Sequence, residues 1–231
     1  MILLLVACRT NDPAVIAHRA LGIEEGADEN QPRRALAALE EGFGAELDLR
    51  LDGEGCGGDP SRAAEEGCFD LGHSAPNGHT LAEVVPLLSE LPASGESRPP
   101  LLLDIVNDPD RAVSLQLLRY LAANAPEGYP LLVQSSSTDA VAILVGERDQ
   151  IGIDHDIQLG VTYFADPEFT VPDFVDFVVV NIAELPPSPM TVPVAAYGVA
   201  SASSWKSALY APSEVRWVIT DFPTRAAAFT P

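Results

Sequence analysis

Lysine is nearly absent from this chain of 231 residues, in which Lys206 is the only one. Lysine and arginine together number 13, against 34 acidic residues, so the formal net charge is −21. Nucleic-acid binding depends on basic side chains that displace counterions from phosphates, and anionic membrane surfaces attract clusters of basic residues. The charge therefore argues against a nucleic-acid partner. Any chemistry that requires a lysine has only Lys206 to use.

Long apolar runs are also missing. The apolar residues Met1–Cys8 are too few to cross a bilayer, which takes about 20 residues, and they lack the basic region that begins a full secretory signal. Leu5-Val6-Ala7-Cys8 nevertheless resembles a bacterial lipobox, in which the cysteine is lipidated. We therefore expect residues 1–12 to be a truncated lipoprotein signal and tether, with the true start upstream of Met1. The alternative is a short apolar strand that closes the bottom of the fold.

Cysteine is scarce, and its count of three is odd, which is awkward for a secreted protein. If Cys8 carries a lipid, Cys56 and Cys68 remain within a segment rich in glycine and aspartate. Outside the reducing cytosol these two could form a disulfide, and two free thiols are the alternative. The lipoprotein interpretation places the protein at the bacterial cell envelope, either periplasmic or lipid-anchored, while a cytoplasmic location stays open.

The apolar residues are arranged in alternating short strands and amphipathic helices. Eight short apolar or β-branched runs are predicted strands: Ala14–Ala17, Ala45–Leu51, Leu101–Val106, Leu131–Gln134, Gln158–Thr162, Phe177–Asn181, Pro193–Tyr197 and Arg216–Thr220. Four segments with apolar residues at helical spacing are predicted helices: Arg33–Glu41, Leu81–Leu88, Arg111–Asn124 and Thr138–Val145. Such alternation indicates parallel strands joined by right-handed crossovers. We expect residues 13–231 to form one small (β/α)8 barrel.

The weakest part of this barrel lies after the fifth predicted strand. The segment between Thr162 and Phe177 contains Pro167 and Pro172 and is too short for a full helix. We expect a short turn there and an irregular barrel wall around that strand.

Polar residues collect where the predicted strands end, which is where such barrels place their active sites. Glu46 and Asp48 stand two residues apart on a strand, so both side chains point to the same face. Asp104 lies within an apolar run, where a carboxylate is costly to bury unless it is paired or binds a metal. Three converging carboxylates repel one another, and an all-oxygen ligand set favours Mg²⁺ or Ca²⁺ over zinc.

Two histidines accompany the carboxylates. His18 ends the first strand, and His73 follows the second strand after an irregular segment. Imidazole titrates near neutral pH, so a pair of histidines beside a metal-bound anion can serve as general acid and base. Arg19 would supply planar donors for phosphate oxygens.

These residues resemble the glycerophosphodiester phosphodiesterase family, part of the phospholipase C-like phosphodiesterase barrel superfamily that includes the sphingomyelinase D branch. The resemblance covers nearly the whole chain and rests on the order of six short motifs: Val15–Ala20, Glu29-Asn30, Glu46–Leu49, His73, Thr80–Val84 and Val218–Pro223. It implies a barrel enzyme that hydrolyses glycerophosphodiesters or related phospholipid headgroups. One divalent cation would be held by Glu46, Asp48 and Asp104.

The resemblance also implies roles for the remaining site residues. His18 and His73 would exchange protons with the attacking and leaving oxygens, and Arg19 would bind the phosphate. A substrate hydroxyl next to the phosphate would attack first, giving a cyclic phosphate that water then opens. The substrate would be a small phosphodiester or a phospholipid headgroup, and no protein partner is evident.

Several positions depart from the family pattern. Ala20 stands where glycine is usual, which we take as a small change, and Ser74 stands where aspartate usually follows the second histidine. Tyr197 replaces a tryptophan in the wall of the substrate site, which stays aromatic. Val106 replaces the lysine that the family places on the third strand, and Lys206 is expected to be a surface residue on a helix.

Two other functions stay open, and the loss of that lysine motivates the first. One is a catalytically impaired barrel that acts as a surface-anchored binding lipoprotein. The other is a sphingomyelinase D-like phospholipase, which a cyclic phosphate product would reveal.

Overall fold

The structure is a computed structural model that describes residues 12–21, 29–51, 62–91, 98–107, 111–151, 157–163, 170–186, 189–211 and 213–228. The strands of the described residues are β1 (Ala14–Ala17), β2 (Gly44–Arg50), β3 (Asp70–Leu71), β4 (Leu101–Ile105), β5 (Leu131–Ser135), β6 (Ile157–Tyr163), β7 (Phe177–Asn181), β8 (Val194–Tyr197) and β9 (Val215–Thr220). The α-helices are α1 (Pro32–Glu40), α2 (Ala63–Glu66), α3 (Arg111–Asn124), α4 (Thr138–Ile151), α5 (Ala202–Leu209) and α6 (Pro223–Ala227).

Eight parallel strands close into a barrel. Their order is β1-β9-β8-β7-β6-β5-β4-β2, and β1 also pairs with β2, which completes the ring. The short strand β3 lies outside the ring and pairs antiparallel with the end of β2. The predicted (β/α)8 barrel is therefore confirmed. Because all eight strands run the same way, their carboxyl ends meet at one mouth.

The predicted strands match the observed ones to within about a residue at each end, but two local predictions are wrong. The segment Leu81–Leu88 forms two short 3-10 turns, Leu81–Glu83 and Val85–Ser89, instead of one helix. Pro86 lies at the start of the second turn and has no N–H to continue a helical ladder from the first. The second concerns the barrel wall, which we expected to be irregular around the fifth strand of the ring, β6. Instead, β6 pairs regularly with β5 and β7, and the register shift in the described wall lies between Val194 and Ala195 of the β8–β9 pair.

The segment after β6 agrees with expectation where it is described, and the helix after β5 is longer than expected. Residues 170–176 form turns without a helix, as predicted for this part of the chain, while residues 164–169 lie outside the described ranges. Helix α4 continues six residues beyond the predicted end, to Ile151. Strand β3 and helices α2 and α6 carry no periodic apolar pattern long enough to predict them.

Apolar side chains fill the lower part of the barrel and leave its mouth to polar groups. The inner cluster consists of side chains from the inward-facing positions: Ile16, Leu102, Leu132, Phe177, Val179, Ala195, Trp217 and Ile219. The rings of Phe177 and Trp217 meet edge to face at 5.5 Å. Gly160 makes room for Phe177, since a Cβ there would lie 2.5 Å from the ring. The next inward positions up the strands belong to the site.

Candidate active site

A cavity of about 490 Å³ opens at the carboxyl ends of the strands. It is lined by all seven residues that the sequence predicted for catalysis, metal binding and substrate binding: His18, Arg19, Glu46, Asp48, His73, Asp104 and Tyr197. They come from the turn after β1, from β2, β4 and β8, and from the loop after β3, because the parallel strands bring these distant segments to the same edge.

The three acidic residues form a compact cluster at one side of this cavity. Glu46 and Asp48 project from β2 two residues apart, and Asp104 on β4 is paired in register with Asp48. A carboxylate oxygen from each residue lies within 4.8 Å of the others. Glu46 and Asp48 are almost fully buried. The carboxylates thus converge as the sequence predicted.

The electrostatics of the cluster show how unfavourable three negative charges are here. Burial raises the pKa of Glu46 well above its usual value, and the neighbouring charges of Asp48 and Asp104 raise it further. Burial and then Asp48 raise the pKa of Asp104 to about 7, although a hydrogen bond from Gln134 opposes this change. Without a compensating cation, protons would neutralise part of the cluster at neutral pH.

Gln134 provides a further test of whether the cluster fits a metal ion. It is paired in register with Asp104 on the adjacent strand, and its side chain hydrogen-bonds to the Asp104 carboxylate. Its other polar atom, Oε1, is buried and has no hydrogen-bond partner among the described residues. An unsatisfied buried acceptor costs about 1–3 kcal/mol. Three carboxylates and a spare amide oxygen form the oxygen-rich environment that Mg²⁺ or Ca²⁺ prefers, so the residues fit such an ion.

Arg19 contacts the cluster through both its backbone and its side chain. Its backbone N–H donates to Glu46 Oε2 at 2.5 Å, and its Nη1 donates to Glu29 Oε2 at 3.0 Å. Its Nε lies 3.2 Å from Asp48 Oδ2 as an ion pair. The guanidinium therefore already faces two carboxylates before any substrate arrives.

The turn that carries Arg19 has an unusual backbone. Arg19 and Ala20 both adopt left-handed conformations, with φ of 47° and 55°. A residue with a Cβ pays roughly 1–2 kcal/mol there, whereas glycine pays almost nothing. The replacement of glycine by Ala20 is therefore not the small change expected from the sequence.

Asn30 supports the carboxylate cluster through Asp48, a role that the sequence did not reveal. Its Nδ2 donates to Asp48 Oδ2 at 2.9 Å, and its Oδ1 accepts from the Asp48 backbone N–H at 2.7 Å. Asn30 is buried and left-handed, with φ of 58°. This pair of hydrogen bonds fixes the orientation of the Asp48 carboxylate.

His18 has a carboxylate partner from the other end of the chain. Its Nδ1 lies 2.5 Å from Oδ1 of Asp221, which follows the closing strand β9. Such a contact holds the proton on Nδ1 and leaves Nε2 free to act as a base. Asp221 belongs to a motif noted in the sequence, but nothing in the sequence assigned it this contact.

His73 reaches the mouth on a loop that β3 ties to β2. Gly72 has φ of 133°, and a Cβ there would lie 2.1 Å from the Ala75 carbonyl oxygen, so the sharp turn requires glycine. Arg50 Nη1 donates to the His73 carbonyl at 3.4 Å. The imidazole is exposed, and its Nδ1 lies 3.4 Å from Ser74 Oγ.

Val106 and Lys206 lie where the sequence predicts them, the first at the site and the second on the surface of a helix. Val106 lines the cavity with an apolar side chain, directly after β4. Lys206 is exposed on α5 and does not line the cavity. Arg19 is therefore the only lysine or arginine among the residues that line the cavity in the described part of the chain.

Some predicted features lie outside the described residues. These include Cys8 with the proposed lipoprotein signal, and Cys56, so the pairing of Cys56 with buried Cys68 stays a prediction. Within the described ranges, no helix combines the length and the apolar character that crossing a membrane demands.

Comparison of the structure with solved structures identifies a similar enzyme. A phosphodiesterase from Oleispira antarctica, solved in complex with its product sn-glycerol-3-phosphate, superposes with a TM-score of 0.62. The match covers 94% of this chain and 96% of the other, at 17% sequence identity. The fold is that of a known phosphodiesterase. No family model matches the sequence, and none of the curated proteins does.

Proposed function

We propose that the protein is a metal-dependent phosphodiesterase that hydrolyses glycerophosphodiesters or related phospholipid headgroups. The observation that carries this proposal is the convergence of three carboxylates and two histidines in one cavity. The shared fold with a phosphodiesterase that holds sn-glycerol-3-phosphate supports it.

Glu46, Asp48 and Asp104 would hold the divalent cation, Mg²⁺ or Ca²⁺. Such an ion, when bound, neutralises the carboxylates and polarises phosphate oxygens as a Lewis acid. Arg19 would donate hydrogen bonds to the phosphate from the same side of the cavity. Asn30 keeps Asp48 oriented, so the site does not have to reorganise when the substrate binds.

The two histidines differ in their surroundings, and we assign their roles on that basis. Asp221 holds His18 Nδ1, so Nε2 of His18 would take the proton from the attacking hydroxyl. His73 is exposed and contacts no carboxylate of the described residues, so it would give its proton to the leaving oxygen. Attack by a hydroxyl of the substrate itself expels the alcohol and gives a cyclic phosphate, which water then opens to sn-glycerol-3-phosphate. A cyclic phosphate that persists as the final product, detected by phosphorus NMR, would instead favour the sphingomyelinase D-like alternative.

The direct test is hydrolysis of glycerophosphodiesters with Mg²⁺ or Ca²⁺ added and with both removed by a chelator. We expect sn-glycerol-3-phosphate and a free alcohol only when a divalent cation is present. Asp48→Asn should abolish the reaction, whereas Glu40→Gln, an exposed change of the same kind at the end of α1, should not alter it. Metal binding without any hydrolysis would instead favour a catalytically impaired barrel that binds ligands.

A further inference from the structure

His73 has fewer side-chain contacts than the other histidine assigned to catalysis. Its imidazole is exposed, and its one hydrogen-bond contact within the described ranges is with Ser74 Oγ, at 3.4 Å. His18, in contrast, has the Asp221 carboxylate against its Nδ1. A general acid must lie within hydrogen-bond reach of the leaving oxygen. The position of His73 therefore depends on the loop that carries it.

Residues 72–76 form that loop, and we refer to them as the histidine loop. At its start, Gly72 donates its backbone N–H to the Asp48 carbonyl on β2 at 3.0 Å. At its end, the backbone N–H of Asn77 donates to the carbonyl of Leu71 at 2.9 Å, which closes the loop at its base. These bonds fix the two ends of the loop to β2 and β3.

The side-chain amide of Asn77 makes three further contacts at the end of the histidine loop. Its Oδ1 accepts from the backbone N–H of His79 at 3.0 Å. Its Nδ2 donates to the backbone carbonyl of Asn30 at 3.1 Å and to that of Glu29 at 3.3 Å. A side chain needs both a donor and an acceptor for this arrangement, and an amide supplies both. Asn77 thereby joins the loop to the segment before α1.

The segment that Asn77 contacts is itself attached to the site. The side chain of Asn30 orients Asp48 through two hydrogen bonds, and the Glu29 carboxylate pairs with Arg19. The backbone N–H of Asn30 also donates to the Arg19 carbonyl at 3.1 Å. Asn30 is buried and is held by these hydrogen bonds without any help from Asn77, so it is a firm support for the loop.

We propose that Asn77 is a positioning residue that sets where His73 lies relative to the metal-binding carboxylates. This proposal rests on the proposed function and adds a residue to its machinery. Asn77 does not line the cavity, so it acts through the histidine loop. As the bond between phosphorus and the leaving oxygen breaks, His73 must be close enough to give that oxygen its proton.

Asn77→Asp tests this role, because aspartate has nearly the same size but turns a negatively charged oxygen toward the two carbonyls. The readout is the leaving group. An alkyl alcohol needs a proton to leave, whereas p-nitrophenolate leaves without one. For the ethyl diester of sn-glycerol-3-phosphate we expect kcat/KM to fall about 10- to 100-fold. For the p-nitrophenyl diester we expect it to fall less than about threefold.

Asn124→Asp is the matched control. Nδ2 of Asn124 also donates to a backbone carbonyl, that of Tyr120 at 2.9 Å, but this contact lies at the end of α3 and does not line the cavity. The control should leave both rates unchanged. His73→Ala should show the same dependence on the leaving group, and combining it with Asn77→Asp should cause no further loss.

Three kinetic results would overturn the proposal. They are an unchanged rate on the ethyl diester in Asn77→Asp, an equal loss on both diesters, and full additivity of Asn77→Asp with His73→Ala. Asn77→Ala removes the same side-chain contacts without adding a charge, and it replaces Asn77→Asp in these assays if the aspartate variant fails to fold.

Calorimetric titration separates this role from an effect on the cation. Because Asn30 keeps its contacts with Asp48 and Arg19, Asn77→Asp should change the Kd for Mg²⁺ or Ca²⁺ by less than about threefold. A Kd raised by about tenfold or more, together with an equal loss of rate on both diesters, would place the effect of Asn77 on the cation and contradict the proposal.

The failure of this proposal can be distinguished from failure of the proposed function. If the unaltered protein hydrolyses neither diester, the proposed function fails, and hydrogen exchange measured by mass spectrometry then tests the role of Asn77. Asn77→Asp and Asn77→Ala should both speed exchange in the histidine loop, whereas Asn124→Asp should not. Unchanged exchange in both Asn77 variants would overturn the proposal.

Discussion

Nδ1 of His18 lies 2.5 Å from Oδ1 of Asp221, although 203 residues separate them in the chain. The contact joins the end of the first barrel strand to the end of the last, because β1 and β9 are paired in the closed ring. Asp221 is therefore the group that sets the tautomer and orientation of the imidazole at the mouth.

Removal of the Asp221 charge should reduce turnover much more than binding. We expect Asp221→Asn to lower kcat by about 10²- to 10⁴-fold with little change in KM, since an amide no longer fixes the Nδ1–H tautomer of His18. The pH profile of kcat should change as well, which a purely structural residue would not cause. Glu90→Gln, an exposed change, is the control. A wild-type kcat in Asp221→Asn would contradict this role.

The effect of the cation on stability should depend on pH. Asp104 has its pKa raised from 3.8 to about 7, and the pKa of Glu46 is raised as well. Because these pKa values are raised, the metal-free folded protein keeps protons on the two carboxyl groups at pH values where the unfolded chain has already released them. The stabilising contribution of protonated Asp104 is thus present below about pH 4 and is lost as the pH rises toward 7.

Cation binding needs these carboxylates ionised, so it competes with the protons. We expect Mg²⁺ or Ca²⁺ to raise the melting temperature more at pH 8 than at pH 5, measured by differential scanning fluorimetry. Asp104→Asn should flatten the pH dependence of the metal-free protein. A larger rise at pH 5 than at pH 8 would contradict the assignment of these residues as ligands.

Gln134 should contribute to metal affinity. Its unpaired Oε1 lies beside the carboxylate cluster, and its amide supports Asp104. Replacing such a supporting group typically weakens metal binding by 10- to 100-fold. We therefore expect Gln134→Leu, which keeps a similar volume, to raise the Kd for Mg²⁺ or Ca²⁺ about tenfold in calorimetric titration. An unchanged Kd would show that Gln134 only fills space.

The barrel interior should tolerate no added methyl group at Gly160. A Cβ there would lie 2.5 Å from the Phe177 ring, so Gly160→Ala should lower the free energy of unfolding by about 1–3 kcal/mol in urea denaturation. Gly146→Ala is the matched control, since nothing lies within 4 Å of a Cβ at that exposed position of α4. It should stabilise the protein by up to about 1 kcal/mol. Equal effects of the two changes would contradict the described packing.

The sequence revealed those parts of the site that depend on local spacing. Glu46 and Asp48 share a face because strands alternate, and Asp104 was conspicuous as an acid in an apolar run. Gln134 occupies a similar position in its own apolar run, and the same reasoning would have identified it. The contact of Asp221 depends on how the ring closes, and that of Asn30 on how the segment before α1 folds against β2, and no local pattern encodes either.

Local backbone geometry was equally hidden from the sequence. The two 3-10 turns around Pro86 have the same apolar spacing as a helix, so periodicity alone cannot separate them. Ala20 is left-handed in the turn where Arg19 donates its backbone N–H to Glu46, and alanine shows no sign of this conformation in the sequence.

The central claim is that the carboxylate cluster holds a divalent cation that phosphodiester hydrolysis requires. The most direct measurement is the release of sn-glycerol-3-phosphate from a glycerophosphodiester as a function of added Mg²⁺ or Ca²⁺, compared with the calorimetric Kd of the same ion. We predict that the two titrations share a midpoint and that Glu46→Gln, which removes a buried charge of the cluster, abolishes both. Hydrolysis that persists in a chelator, or that survives in Glu46→Gln, would contradict the claim.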